Sequence, residues 1–226
     1  ICEGEKDTIC LLSMGFQAIS MSGGCASIPT PEMLEEIKKF TNIKWVEIGV
    51  RFGYNAENVL NNYDIEKIYL IDPYCELPLT SDEIRKNSGP TVKGIFSTFF
   101  TAVTKPRFSS LFSKDKVKDY KGKAQNRLNK YKNKCIWLED FSQNVCDEIE
   151  DSSIDILYID GDHSHKAVRQ DLELYYDKVK DGGLIIGDDY NEEGVKEAIE
   201  EFSQIRNIKY NTSHNNDDTH KFWFNK

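Results

Sequence analysis

Ile154–Asp189, IDILYIDGDHSHKAVRQDLELYYDKVKDGGLIIGDD, is the stretch whose reading decides the fold. It opens on a short apolar run, Ile154–Ile159, that stops at Asp160. A run of this length bounded by Asp and Gly reads as a buried strand. Val168, Leu172, Tyr175, Tyr176 and Val179 then mark one helix face, and Gly182-Gly183 is placed to stop that helix. Leu184–Ile186 is a second apolar run, ending at Gly187-Asp188-Asp189. Strand, helix, strand, with acidic residues just past each strand, is the repeating unit of a parallel sheet, and such sheets bind ligands beyond the carboxyl ends of their strands.

The same alternation extends upstream and downstream. Trp45–Val50 is expected as a strand, Asn55–Asn61 as a short helix, Ile68–Ile71 as a strand ending at Asp72-Pro73, and Ile136–Leu138 as another. Val195, Ile199 and Phe202 mark a later helix, and Ile208–Tyr210 and Phe222–Phe224 read as two closing strands around a polar turn. Ahead of this body, Thr30-Pro31 opens a helix carrying Met33, Leu34, Ile37 and Phe40 at helical spacing. Before that, residues 1–27 read as a unit of their own: a helix from Asp7 to Met14, a strand over Phe16–Met21 and a turn at Gly23-Gly24. Residues 76–134 are too long for an ordinary connection and are expected to form a partly helical lid inserted in a domain spanning 28–226.

Composition bounds the function. A chain of 226 residues with 39% hydrophobic residues can bury a real core. No apolar run approaches the roughly 20 residues that cross a bilayer. No basic-then-apolar leader is visible ahead of Ile1, so a cytoplasmic protein is expected. The six cysteines form no C-x-x-C pair and are expected as buried, reduced thiols. A net charge of −9 argues against a general nucleic-acid surface. From Lys105 to Lys134, however, eleven Lys/Arg stand against two Asp, a surplus of nine, which leaves the remainder at −18. That run is either a solvated helical face or a means of capturing an anionic acceptor such as a sugar nucleotide, a phosphorylated glycan or a nucleic acid.

Three constellations carry chemistry. In Val46–Gly53, VEIGVRFG, a strand ends in Glu47 and enters a turn with glycines at 49 and 53, where backbone can approach a ligand closely. Asp72 lies 25 positions after Glu47, at the next strand end, where a carboxylate can accept both hydroxyls of a ribose. The second constellation is Tyr158–His165, YIDGDHSH, with Gly187-Asp188-Asp189: four carboxylates and a histidine at two strand ends. Like charges so crowded call for a cation, and hard oxygen donors suit Mg²⁺. A metal there lowers the pKa of a substrate hydroxyl, and a nearby carboxylate or imidazole takes the proton. The alternative is that Asp162 or Ser164 caps a helix and Asp188-Asp189 is a solvated turn. The third, Trp137–Ser142, WLEDFS, puts a polar group at a strand end where an adenine amine can meet it.

The segments VEIGVRFGYNAENVL, IYLIDPY and LYIDGDHSHKAVRQDLELYYDKVKDGGLIIGDDY together resemble class I methyltransferases that use S-adenosylmethionine, over about residues 40–226. More narrowly they are similar to the metal-dependent O-methyltransferase group that includes macrocin-type and aminocoumarin-sugar enzymes. The resemblance implies an α/β fold: a Rossmann-like, doubly wound, seven-stranded sheet, mostly parallel with an antiparallel last strand. It implies that Glu47, Gly49 and Gly53 flank the methionine and ribose parts of S-adenosylmethionine, that Asp72 binds the ribose and that Asp140 approaches the adenine. Asp160, also counted among the cofactor-binding residues, falls with Asp188 and Asp189 where that group places its Mg²⁺ ligands. Asp162 falls where it places a base, with His163 as the lesser candidate. The implied acceptor is a hydroxyl on a small molecule or sugar, and metal-dependent relatives often assemble as homo-oligomers.

A second stretch, ICEGEKDTICLLSMGFQAISMSGG at residues 1–24, resembles the start of a Toprim domain, in which Glu3 would work with a later Asp-x-Asp pair on Mg²⁺. That pair is not found, since Asp72-Pro73-Tyr74 lacks its second Asp. Three functions therefore stand side by side: an O-methyltransferase, a Toprim-type nucleic-acid enzyme or fragment, and a methyltransferase fold kept only for binding. Asp72 and the four carboxylates at the later strand ends favour the first.

Overall fold

The central strand, β1 (Ile43–Ile48), buries every side chain but that of Lys44, as a strand covered on both faces must. Its neighbours are β2 (Ile65–Ile71) on one side and β4 (Ile154–Ile159) on the other, both parallel to it. β3 (Cys135–Leu138) extends the sheet beyond β2, and β5 (Val179–Gly187) extends it beyond β4. β7 (Phe222–Asn225) runs antiparallel to β5, and the two-residue β6 (Asn211–Thr212) pairs with β7 at the edge. The order β3-β2-β1-β4-β5-β7-β6 is the expected seven-stranded, mostly parallel, doubly wound sheet. The computed structural model describes residues 31–74, 114–213 and 221–226. Residues 1–27, with Glu3 and the helix and strand expected there, and most of the expected lid lie outside the described residues. The chain divides into two units, one formed by residues up to Pro73 with Lys123–Lys226, the other by Tyr74–Gly122.

The helices among the described residues are α1 (Pro31–Ile37), α2 (Tyr54–Asn62), α3 (Lys114–Leu128), α4 (Ser142–Val145), α5 (His165–Tyr176) and α6 (Glu193–Arg206). Ser164 caps α5 by accepting from the Ala167 amide at 3.4 Å. Val168, Leu172 and Tyr175 of α5 meet Val195, Ile199 and Phe202 of α6 and the β4 side chains Leu157 and Ile159 in one buried cluster. Burying each such aliphatic side chain is worth about 1.5–3 kcal/mol. Among the described cysteines, Cys135 and Cys146 are free thiols. No described helix is long and apolar enough to cross a membrane.

Several expected boundaries move; the strand expected at Trp45–Val50 runs from Ile43 to Ile48, since the left-handed Gly49 begins the turn. Val179 and Gly182-Gly183 belong to β5, because α5 has already stopped at Tyr176. Val179 pairs with Ile154 and Leu184 with Ile156, so the residues between bulge out of the ladder, and Gly182 takes a left-handed φ of 79° there. The closing strand expected at Ile208–Tyr210 lies instead at Asn211–Thr212. Asn207, with φ 52°, ends α6, and the Ile208 amide turns back to the Ser203 carbonyl at 2.9 Å, so Ile208 serves the helix end rather than the sheet. The first helix ends at Ile37, short of Phe40.

Candidate active site

The sheet ladder runs one residue past its parallel strands. The amides of Asp72, Asp160 and Asp188 bond the carbonyls of Leu138, Ile48 and Ile159 at 3.3, 2.8 and 3.0 Å. Three strand-end aspartates are thereby set in a row along the carboxyl edge, across the β1–β4 switch point.

Between them lies the turn after β1. A Cβ on Gly49, whose φ is 91°, would run into the carbonyl oxygen of Asp160. Glycine is therefore required for the β1 and β4 ends to approach one another. Asp72 Oδ2 accepts from the amides of Val50 (3.1 Å) and Arg51 (2.8 Å), which locks the turn to the end of β2. Gly53, φ 71°, precedes α2. Arg127 buttresses the turn from behind: its Nε donates to the Phe52 carbonyl at 3.1 Å, it pairs with Glu57 at 2.8 Å, and its guanidinium stacks 3.7 Å from the Tyr54 ring centre.

Glu47 is 1% exposed, and its Oε2 accepts from Asn55 Nδ2 at 3.0 Å. Burial, reinforced by the charges of Asp160 and Asp72, holds its carboxyl well above the usual range, against the pull of the Asn55 bond. Glu47 thus stands with Asp72 and Asp160 in a carboxylate-rich strand end, which fits a cofactor that brings an ammonium and a sulfonium. The donor set fits the rest of S-adenosylmethionine as well, with a fixed carboxylate at the β2 end for vicinal hydroxyls. Asp140 is exposed and accepts from the Phe141 amide (2.7 Å) and Asn144 Nδ2 (2.8 Å), which depress its carboxyl pKa. It stands at the β3 end, but its known contacts are local.

Among the described residues, Asp160, His163 and Asp189 present ligand atoms within 4.8 Å of one another. His163 Nε2 lies 3.1 Å from Asp189 Oδ2 and 3.7 Å from Asp160 Oδ1. The neighbouring carboxylate of Asp160, with that of Asp189, raises the imidazole pKa against the opposing effect of burial. Burial and mutual repulsion raise the carboxyl pKa of Asp160 and of Asp189, while His163 and Lys221 pull both down. Asp162 is exposed and holds the Ser164 amide at 2.9 Å, the helix-entry role that stood as the alternative to catalysis.

Asp188 does not join that group. Its Oδ2 accepts from Tyr158 Oη at 2.6 Å and from Lys221 Nζ, and its Oδ1 accepts from the Asp189 amide at 2.9 Å. The expected set of Asp160, Asp188 and Asp189 around Mg²⁺ thus has an ammonium bonded to one member. What converges instead is a mixed imidazole and carboxylate group, which does not fit an ion that prefers an all-oxygen shell. Sequence reasoning missed Lys221 and Tyr158. The only signal for Lys221 is its place immediately before the apolar Phe222–Phe224 run.

A family model described as a methyltransferase domain matches residues 46–190. An uncharacterized protein of Acanthamoeba polyphaga mimivirus is 51% identical over 151 residues, which is 67% of this chain and 53% of that protein. The chain spans about half the length of that curated relative. Among solved structures, the O-methyltransferase TomG of Streptomyces achromogenes, involved in tomaymycin synthesis and bound to SAM, superposes with a TM-score of 0.56. Its identity is 10%, with 98% of this chain and 88% of that one covered. An O-methyltransferase of Bacillus cereus in complex with SAH gives a TM-score of 0.54 at 10% identity, covering 98% and 90%. At such identity the likeness is one of fold.

Proposed function

The chain belongs to the methyltransferase domain family, and from that premise we propose that it transfers a methyl group from S-adenosylmethionine to a hydroxyl of a small molecule or sugar. The observation that carries the reading is the carboxyl edge itself: Asp72 fixed by two turn amides beside the buried, electron-rich end of β1. When bound, S-adenosylmethionine supplies an electrophilic methyl group on a sulfonium. Asp72 accepts from the ribose hydroxyls. Glu47 and Asp160 stabilise the cofactor's positive charge, and Gly49 and Gly53 let the turn come close to it. Asp140 is assigned the adenine side, from its place at the β3 end.

His163 takes the acceptor's proton. Its neighbours Asp160 and Asp189 stabilise the imidazolium that forms, as an orienting carboxylate does for any histidine base. Asp162, the other candidate, is engaged with the Ser164 amide and sits more openly in solvent, which favours the histidine. The inserted segment 76–134, with its basic run, is assigned to the acceptor.

Calorimetric titration of S-adenosylmethionine and S-adenosylhomocysteine into wild type and Asp72→Ala tests the reading. Micromolar binding by wild type, weakened about tenfold or more in the variant, is expected from loss of hydrogen bonds to a charged group, at about 1.5–3 kcal/mol each. Absence of binding by wild type refutes it.

A further inference from the structure

The buried ammonium of Lys221 stands where the edge most needs a cation. β7 pairs antiparallel with β5, Phe222 opposite Gly187, so the residue before β7 falls beside the residue after β5. That register sets Lys221 against Asp188. Lys221 is 2% exposed. Its amide and carbonyl bond Ser213 Oγ and the Ser213 amide at 2.7 and 2.9 Å, which fixes the backbone that delivers it. Its Nζ donates to Asp188 Oδ2 and, at 3.1 Å, to Tyr158 Oη, while Tyr158 donates to the same Asp188 oxygen. The triangle is closed, with the Tyr158 ring 5.3 Å from the ammonium.

Taking an ammonium out of water costs several kcal/mol unless it is paired and hydrogen-bonded. A lysine so deep is sustained by the negative charge around it. Asp188 is in turn tied to Asp189, whose amide donates to its Oδ1 at 2.9 Å, and His163 stands between Asp189 and Asp160 at 3.1 and 3.7 Å. One ammonium thus meets Asp188 directly and, through it, joins the chain of contacts that links the three aspartates expected to share a divalent ion.

We propose that Lys221 is the built-in counter-cation of this edge, and that it replaces a divalent metal as the charge that holds Asp160, Asp188 and Asp189 together. Lys221 is a positioning residue: it acts on the reacting groups through Asp188 and Tyr158. The proposal deepens the methyltransferase reading and rests on it for the meaning of the edge, though not for its test. Cofactor binding and transfer need no added metal, and a divalent ion is excluded by the ammonium rather than recruited by the carboxylates.

The test is a titration of the chain with Mn²⁺ alone, read by the electron paramagnetic resonance of the free ion, for wild type, Asp188→Asn, Lys221→Arg and Lys221→Met. Wild type, Asp188→Asn and Lys221→Arg are expected to bind Mn²⁺ no better than millimolar. Lys221→Met, with the carboxylates uncompensated, is expected to bind it at least about tenfold more tightly than wild type. Micromolar binding of one Mn²⁺ by wild type overturns the proposal, whether it is lost in Asp188→Asn or kept there by Asp160, His163 and Asp189, as does a folded Lys221→Met with no gain. Should Lys221→Met fail to fold, the wild-type titration still decides. No S-adenosylmethionine enters this titration. Tight Mn²⁺ binding with intact cofactor binding refutes the counter-cation alone, and absent cofactor binding with the expected Mn²⁺ result refutes the methyltransferase reading alone.

Discussion

Asp171 is a carboxylate that the fold would hold more cheaply as an amide. It sits on α5, 5% exposed, and accepts a hydrogen bond from Ser142 at the start of α4. Burial pushes its carboxyl up to about 6, the Ser142 bond pulls it down, and the charge of Asp162 adds to the rise. The folded-state value lies above the unfolded one, so the folded protein holds this proton more tightly. The stability it contributes is complete below the unfolded pKa and is lost as pH rises through the folded pKa. A shift of about two units corresponds to about 3 kcal/mol by pH 8. Asn at this position keeps a carbonyl for Ser142 and cannot ionise. Asp171→Asn is therefore expected to be more stable than wild type by about 3 kcal/mol near pH 8, and by only about half that near pH 5. Urea unfolding of both proteins at the two pH values measures the difference. An equal difference at both, or a less stable variant near pH 8, would refute the reasoning. The contact has a functional side, since Ser142 is also held through its carbonyl by Tyr175 Oη at 2.8 Å, and Ser142 follows the turn that carries Asp140.

Gly49→Ala is expected to cost about 2–4 kcal/mol in urea unfolding, from a left-handed φ combined with a collision against backbone that cannot swing away; a cost below 1 kcal/mol, about the difference between Gly and Ala in a relaxed helix, would mean that the β1 and β4 ends separate freely. Because Glu47 is held protonated above the usual carboxylate range, the affinity for S-adenosylmethionine is expected to be full above that raised value and to fall as pH drops through it. Glu47→Gln should flatten this dependence in calorimetry; an unchanged slope would assign it elsewhere. With His163 as base and its pKa raised by Asp160 and Asp189, kcat/KM should climb with pH to a plateau above the usual imidazole value. In Asp189→Asn the midpoint should move to lower pH, and a midpoint that stays in place would remove His163 from the role.

Much of this was legible in the residues. β4 runs from Ile154 to Ile159 as expected, because a continuous apolar run closed by Asp-Gly leaves little choice of boundary. The Glu47–Gly53 turn and Asp72 come together because strand order brings β1 and β2 side by side. Less legible was whatever depended on register. Gly182-Gly183 looks like a helix stop, and only the bulge opposite Asp155 shows that it belongs inside a strand. Asp188 reads as one more carboxylate in a row of four until the antiparallel pairing with β7 sets Lys221 against it. The pairing joins residues more than thirty positions apart, which composition and periodicity do not encode. Asp162 and His163 are adjacent in the sequence and both stand as candidate bases; what only the structure shows is that Asp162 also accepts from the Ser164 amide.

The β2–β3 pairing has a consequence for how this chain can change. Ile68 and Cys135 stand opposite one another in the sheet although 67 positions separate them. The entropy of closing a connection grows only with the logarithm of its length, so doubling or halving that excursion alters stability by about 0.6 kcal/mol. Glu47, Asp160 and Lys221 lie outside it, and Asp72 stands at its start, directly after β2. Between Asp72 and the helix that carries Arg127 the connection can thus change length at little entropic cost to the strands that hold the carboxylates, whereas Arg127, which bonds the Phe52 carbonyl and Glu57, ties its far end to the turn after β1.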